Sequence, residues 1–179
     1  TETVYGFGCL VRDDALSALA ALKSRDAAKP FLLLIREAGD IPQLEWTAAA
    51  HKLAEAFWPG PLTLALRVRE ALPARILSSD GTLAVRATPH DGLRALLSAL
   101  REPITSTSAN TPGDPPAASG ADAAVVLNEL GASAVLILDG GPLPPSAPST
   151  VVDCSGERPR VVREGAVTTE ALAQIVEIE

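Results

Sequence analysis

The sequence predicts an α/β fold with a mixed β-sheet. Short apolar runs, typical of buried strands, alternate with longer segments whose apolar residues recur at helical spacing. The two kinds of segment interleave irregularly, and two strand-like segments follow one another near the C-terminus. This order is typical of a mixed sheet rather than of a regular βαβ repeat.

The N-terminal part begins with strand and helix signals in turn. Residues 1–9 form an extended segment that ends at a glycine turn. Asp13 or Asp14 can cap a helix that runs to about residue 22 and has leucines and alanines on or near one face. Residues 31–35 are a continuous apolar run after a proline, which predicts a buried strand.

The central part has the clearest periodicity. A helix is predicted over residues 43–57, and the prolines and glycine of residues 58–61 end it. Residues 62–68 alternate as a strand does, and residues 82–86 form a second strand after a glycine turn. Leucines at helical spacing predict a helix over residues 91–100.

The C-terminal part returns to short strands. A helix over residues 121–130 ends at a glycine, and the apolar run 135–138 is predicted to be a strand. Residues 149–153 and 160–163 are two further strands. A threonine at 168 or 169 caps a last helix that runs to residue 176.

Length and composition predict one domain over residues 1–179. The net charge of −7 argues against non-specific nucleic-acid binding as the main function. Two cysteines without metal-ligand spacing and the lack of a membrane-length apolar run favour a cytoplasmic protein without a protein metal site. Because Thr1 lies inside an apparent motif, an upstream strand is expected to be missing from this chain.

Four consecutive hydroxyl residues, at positions 105–108, lie inside the segment 103–110 and are followed closely by an asparagine. Side chains alternate along an extended segment, so Ser106 and Ser108 are expected on the same side, where they could bind a polar small molecule. The same residue types also favour turns and helix caps, so a purely structural loop stays open as an interpretation. Neither a G-x-S-x-G elbow nor a Walker A sequence is present, which argues against the usual hydrolase and P-loop sites.

Cationic residues at the ends of predicted elements could form an anion-binding cleft, although each could also be an ordinary surface charge. These residues are Lys23, Arg25, Lys29, Arg86 and Arg163.

Six motifs occur in one order across nearly the whole chain, and together they resemble the YrdC/TsaC family of L-threonylcarbamoyladenylate synthases. The motifs are residues 1–8, Lys23-x-Arg25, residues 57–63, residues 84–86, residues 106–110 and residues 149–153. The resemblance implies a twisted mixed sheet flanked by helices, with a concave basic cleft. It also implies synthesis of threonylcarbamoyl-AMP and pyrophosphate from L-threonine, bicarbonate and ATP, with Mg²⁺ accompanying ATP.

The resemblance further implies a place in tRNA modification beside the anticodon. Downstream proteins would transfer the threonylcarbamoyl group, and direct contact with tRNA would be weak. No membrane partner is expected.

The resemblance also assigns residues to roles. It makes Lys23 and Arg25 catalytic, and as exposed charges at a helix end they are expected to contribute little to stability. The residues expected to bind threonine or bicarbonate are Thr3, Arg86, Ser108, Asn110 and Ser149. The residues expected to bind the nucleotide are Arg25, Lys29, Thr82, Ser106, Pro116 and Arg163.

The chain departs from the family pattern at some positions. Asp26 stands where a proline is common, and Leu34 stands where some members have a histidine that contacts threonine. Two other functions stay open: a relative that handles carbamoyl-adenylate, such as the similar domain of hydrogenase-maturation carbamoyltransferases, and an RNA-binding module. The complete KxR and SxN motifs favour the synthase over the first, and the acidic net charge argues against the second.

Overall fold

The structure, a computed structural model, describes residues 1–24, 30–132 and 135–179. Across these residues eight strands form one mixed sheet flanked by five helices, which confirms the predicted fold class. The strands are β1 (Gly6–Phe7), β2 (Leu32–Ile35), β3 (Leu44–Glu45), β4 (Leu62–Val68), β5 (Thr82–Ala87), β6 (Ile104–Ser108), β7 (Thr150–Asp153) and β8 (Arg160–Arg163). The helices are α1 (Asp13–Leu22), α2 (Ala48–Phe57), α3 (Asp91–Leu100), α4 (Gly120–Glu129) and α5 (Thr169–Ala173).

The strands lie in the order β1-β6-β2-β5-β4-β7-β8, and β3 pairs with the C-terminal end of β4. Strand β2 is parallel to β5, and β4 is parallel to β7, whereas the other pairs are antiparallel. The hydroxyl-rich run is therefore strand β6, which lies between β1 and β2.

One face of the sheet forms the main core. Paired residues on neighbouring strands share a face, so Leu33, Leu64, Val85 and Val152 point to the same side. All four are buried together with apolar residues of α1, α2, α4 and α5. The strand residues that alternate with these core residues therefore point to the opposite face of the sheet.

We call that opposite face the open face. Helix α3 covers one end of it, where Leu97 packs against Leu34 and Ile104 in a small second core. The register places the following residues on the open face: Thr63, Ala65, Arg67, Thr82, Ala84, Arg86, Ser106, Ser108, Val151 and Arg163. Most of these side chains are polar, so the open face is where a polar ligand could lie.

Side-chain capping marks the start of α2, α4 and α5. The prediction of an aspartate cap for α1 is wrong, because the N-cap is Arg12 and both aspartates lie in the first turn of the helix. Thr47 accepts a hydrogen bond from the backbone N–H of Ala50, so α2 begins at residue 48 rather than at residue 43 as predicted. The residues just before it form β3, which pairs with β4. Ser119 and Thr168 cap α4 and α5 in the same way as Thr47 caps α2.

The prediction of a strand over residues 135–138 is wrong. These residues have no strand assignment, and Leu136 is 84% exposed. An apolar run predicts a buried strand only when a neighbouring strand offers a free edge, and in the described part of the chain this run pairs with none. The helices of the described residues include none long and apolar enough to span a membrane.

Candidate active site on the open face

Lys23 joins the end of α1 to the loop that follows β6. Its side chain is buried, and Nζ donates hydrogen bonds to the carbonyl oxygen of Ser108 at 2.9 Å and to Oδ1 of Asn110 at 2.8 Å. Nζ also contacts the carbonyl oxygen of Asn110 and lies 5.7 Å from the centre of the Phe7 ring. The structure therefore brings the KxR lysine and the SxN motif together, although 85 residues separate Lys23 from Ser108.

The SxN loop has its own internal hydrogen bonds. The Ser108 hydroxyl donates to Oδ1 of Asn110 at 2.7 Å, and Nδ2 of Asn110 donates to the carbonyl oxygen of Asp114 at 2.7 Å. Oδ1 of Asn110 accepts from both Lys23 and Ser108, which fixes the orientation of the amide. The loop is thus held by a buried cation at one end and by its own backbone at the other.

Arg86 is buried at the end of β5 that lies near the N-terminal segment. Its Nε donates to the carbonyl oxygen of Gly60 at 3.2 Å, and one terminal nitrogen lies 3.4 Å from the Thr3 hydroxyl. The other terminal nitrogen forms an ion pair with Glu2. The structure therefore places Arg86 and Thr3 together, as predicted, and adds a carboxylate that the sequence analysis did not select.

Ser149 lies immediately before β7. Its hydroxyl is 2.9 Å from the hydroxyl of Thr63 on β4, in a buried pair. Arg163 donates to the carbonyl oxygen of Ser149 at 2.8 Å. The structure thus brings Ser149, which is expected to bind threonine, into contact with Arg163, which is expected to bind the nucleotide.

Thr82 is at the opposite end of β5 from Arg86, beside an acidic turn. Its hydroxyl donates to Oδ1 of Asp80 at 2.8 Å and lies 2.5 Å from the Ser78 hydroxyl. Hydrogen bonds from Ser78 and then from Thr82 hold the pKa of the Asp80 carboxyl below its ordinary value. Asp80 is therefore ionised at neutral pH.

The N-terminal segment is tied to residues 139–149. The Tyr5 hydroxyl lies 2.8 Å from Oδ1 of Asp139 and 2.7 Å from the carbonyl oxygen of Gly141. The Ser146 hydroxyl donates to the carbonyl oxygen of Thr3 at 2.6 Å. The backbone N–H of Gly141 and the Tyr5 hydroxyl hold the pKa of Asp139 below its ordinary value. These hydrogen bonds hold the segment 139–149 against the N-terminal segment.

The remaining predicted site residues are less closely connected. Ser106 is half-buried on the open face, in register with Leu32, and Pro116 is exposed in the loop before α4. Arg25 and Lys29 lie outside the described residues. The described residues contain no group of three or more His, Cys, Asp or Glu side chains that could hold a metal ion.

The sequence analysis did not select Glu2, Thr63 or Thr88, which all contact predicted site residues or their partners. Glu2 and Thr63 lie inside motifs that carried the resemblance, but their types suggested no separate role. Thr88 lies two residues after Arg86, a spacing that places side chains on the same face of a strand. That spacing was the one signal that could have identified it.

Comparison with known proteins gives consistent matches. Residues 1–165 match the Sua5/YciO/YrdC family model, whose description is "Telomere recombination". The chain is 41% identical over 164 residues to the threonylcarbamoyl-AMP synthase of Chromohalobacter salexigens, a match that covers 88% of this chain and 85% of the relative.

Two solved structures have the same fold. Sua5 of P. abyssi, complexed with L-threonine, matches with a TM-score of 0.89 and 31% identity over the whole of this chain. The match covers 54% of the Sua5 chain, so this chain spans about half of that protein. YciO of E. coli matches with a TM-score of 0.81 and 28% identity, covering 96% of this chain and 84% of YciO.

Proposed function

Because the chain belongs to the Sua5/YciO/YrdC family, we propose that it is an enzyme that joins L-threonine, bicarbonate and ATP into threonylcarbamoyl-AMP. The single observation that carries this proposal is the junction of Lys23 with Ser108 and Asn110 at the end of β6. Lys23 holds the Ser108 and Asn110 loop in one geometry through three acceptors and adds a buried positive charge there, and preorganised polar groups beside a positive charge favour the binding of small anionic substrates. The relative from C. salexigens named threonylcarbamoyl-AMP synthase supports the same activity.

The threonine end of the site would lie around Arg86 and Ser149. Arg86 can bind a carboxylate through a planar fork of N–H groups, and the buried hydroxyls of Thr3, Thr63 and Ser149 can bind the amino-acid hydroxyl. P. abyssi Sua5 in complex with L-threonine supports this class of substrate. Ser108 and Asn110 would complete the pocket for threonine and bicarbonate.

The nucleotide would lie along the other part of the open face. Arg163 offers a cation beside Ser149, where the α-phosphate must meet the carbamate. Next to Thr82 the ionised Asp80 disfavours a phosphate, so this end suits a sugar hydroxyl or the adenine amine. Ser106 and Pro116 would line the same site, and Arg25 and Lys29 keep their predicted roles in nucleotide binding.

The chemistry requires positioning and charge neutralisation more than a nucleophilic side chain. The threonine ammonium first loses a proton to solvent, and its nitrogen then forms a bond to the carbon of bicarbonate while the C–OH bond breaks and the hydroxide leaves as water with a second proton from the nitrogen. An oxygen of the resulting carbamate then forms a bond to the α-phosphorus, and the bond to pyrophosphate breaks. Lys23, Arg86 and Arg163 would neutralise the charge that these steps bring together.

We also propose the setting of this activity. ATP would bring Mg²⁺, held by phosphate oxygens and water rather than by a protein cage. The product would pass in the cytoplasm to proteins that transfer the threonylcarbamoyl group to tRNA, with weak direct contact between this chain and tRNA. The proposals for Mg²⁺, the downstream proteins and tRNA all depend on the proposed activity, and evidence against that activity would also remove their basis.

A panel of amino acids tests the proposal. The purified chain is incubated with ATP, Mg²⁺, bicarbonate and one amino acid at a time, and pyrophosphate release is measured. We expect release with threonine, weak release with serine, and little with valine, because valine has no hydroxyl to hydrogen-bond with the buried hydroxyls of the site. Equal release with valine and threonine, or release without any amino acid, would contradict the proposal.

A further inference from the structure

The ion pair between Arg86 and Glu2 is an unusual feature of the open face, because it is largely removed from solvent. The Arg86 side chain is 4% exposed and the Glu2 side chain is 23% exposed. An ion pair in this environment is costly to form unless its geometry is fixed by further hydrogen bonds. Those further hydrogen bonds are present on both partners.

Thr88 provides the second contact of the Glu2 carboxylate. Its hydroxyl donates to Oε2 of Glu2 at 2.8 Å and accepts from the backbone N–H of His90 at 3.2 Å. Thr88 is completely buried, and His90 caps the start of α3. The carboxylate therefore sits between a buried arginine and a hydroxyl that is tied to a helix end.

The Arg86 guanidinium is held on three sides. Its Nε–H points to the carbonyl oxygen of Gly60, one terminal nitrogen faces Thr3, and the other faces Glu2. A guanidinium has five N–H groups, so these contacts with described residues leave one N–H on each terminal nitrogen. One N–H on each of two neighbouring terminal nitrogens is the number of donors that a carboxylate needs to accept two parallel hydrogen bonds.

We propose that Glu2 and Thr88 are positioning residues that orient the Arg86 fork for the carboxylate of the amino-acid substrate. The inference rests on the proposed function, since it concerns the same site. Glu2 acts through Arg86 and need not touch the substrate. Thr88 in turn holds Glu2, so loss of its hydroxyl has the same kind of effect as loss of the carboxylate, and a smaller one.

A competing role for Glu2 makes the opposite prediction. If the Glu2 carboxylate occupied the position of the substrate carboxylate, its removal would strengthen threonine binding. Displacement of Glu2 would also leave the Thr88 hydroxyl without its acceptor inside the protein, and a buried unpaired donor is costly. The buried contacts of Glu2 therefore favour positioning over competition.

Calorimetric titration with L-threonine, together with threonine and ATP KM values from pyrophosphate release, tests the inference. The variants are Glu2→Ala, Glu2→Gln and Thr88→Val, and Glu177→Ala is the control because Glu177 pairs with Arg158 on the exposed surface at 2.9 Å. We expect the threonine Kd to rise roughly tenfold in Glu2→Ala, the loss of about one charge-assisted hydrogen bond. Glu2→Gln keeps an acceptor for Arg86 and should recover part of the affinity.

The remaining readouts separate positioning from a general loss of structure. The ATP KM should stay within about twofold of the parent in every folded variant, because one interaction with threonine alone is being weakened. A threonine Kd that is unchanged or lower in both Glu2→Ala and Thr88→Val would overturn the inference. If Glu2→Ala does not fold, the threonine Kd of Thr88→Val alone decides whether the inference holds. A parent chain that neither binds threonine nor releases pyrophosphate would overturn the proposed function as well.

Discussion

The Nζ atom of Lys23 lies 2.8 Å from Oδ1 of Asn110, and this contact joins the end of α1 to the loop after β6. The sequence suggested an exposed charge at a helix end that could be removed without loss of stability. That expectation is wrong, because Lys23 is 8% exposed and has several backbone and side-chain acceptors. A buried cation with such partners is costly to remove.

Lys23→Ala should therefore both destabilise the chain and abolish threonine-dependent pyrophosphate release. We expect a loss of about 2 kcal/mol in the free energy of unfolding, which corresponds to a fall in Tm of about 4–8 °C for a chain of this size. Lys52→Ala is the matched control, since Lys52 is exposed on α2. An unchanged Tm in Lys23→Ala, or full activity in a folded Lys23→Ala chain, would contradict this role.

Arg86→Lys separates charge from geometry at the threonine end of the site. Lysine keeps the positive charge but cannot present a planar fork, so the threonine Kd should rise roughly tenfold or more while the ATP KM changes little. Lysine is preferable to alanine here, because Arg86→Ala would leave Glu2 without its cation. Titration calorimetry measures the effect against an Arg158→Lys control. Threonine affinity equal to that of the parent would mean that Arg86 has a structural role only.

Asp80 predicts a pH dependence of stability in acid. Its pKa is lowered from the ordinary value of 3.8, first by the Ser78 hydrogen bond, so the stabilisation is present above that value. It is lost as the pH falls through the lower pKa of the folded state. Urea unfolding at several pH values between about 5 and 2.5 should show the parent's advantage over Asp80→Asn shrinking as the pH falls. A difference that stays constant over this range would show that Asp80 contributes nothing through its charge.

Local sequence patterns predicted most of the helices and strands, because the spacing of apolar residues along the chain largely determines where these elements form. Strand β4 and helix α3 have clear periodicity and occur with the predicted bounds. The segment over residues 43–47 was predicted as helix, but pairing with β4 and the Thr47 cap make it β3 and a helix start. The run 135–138 shows that an apolar pattern cannot specify whether a strand partner is available.

The sequence motifs selected candidate site residues but could not predict the contacts between them. The motifs selected the hydroxyl residues Thr3, Ser108 and Ser149. In the structure these residues contact Arg86, Lys23 and Thr63, respectively. The burial of Lys23 and the ion pair of Arg86 depend on residues more than 80 positions away, so no local pattern could reveal them. Long-range pairing of charges is a property of the folded chain.

The most direct test of the proposed activity is mass spectrometry of the nucleotide products after incubation with ATP, Mg²⁺, L-threonine and ¹³C-labelled bicarbonate. We expect threonylcarbamoyl-AMP that carries one labelled carbon, formed only when threonine and bicarbonate are both present. A parent chain that yields no labelled threonylcarbamoyl-AMP under these conditions, or that cleaves ATP to the same extent without threonine, would contradict the proposal.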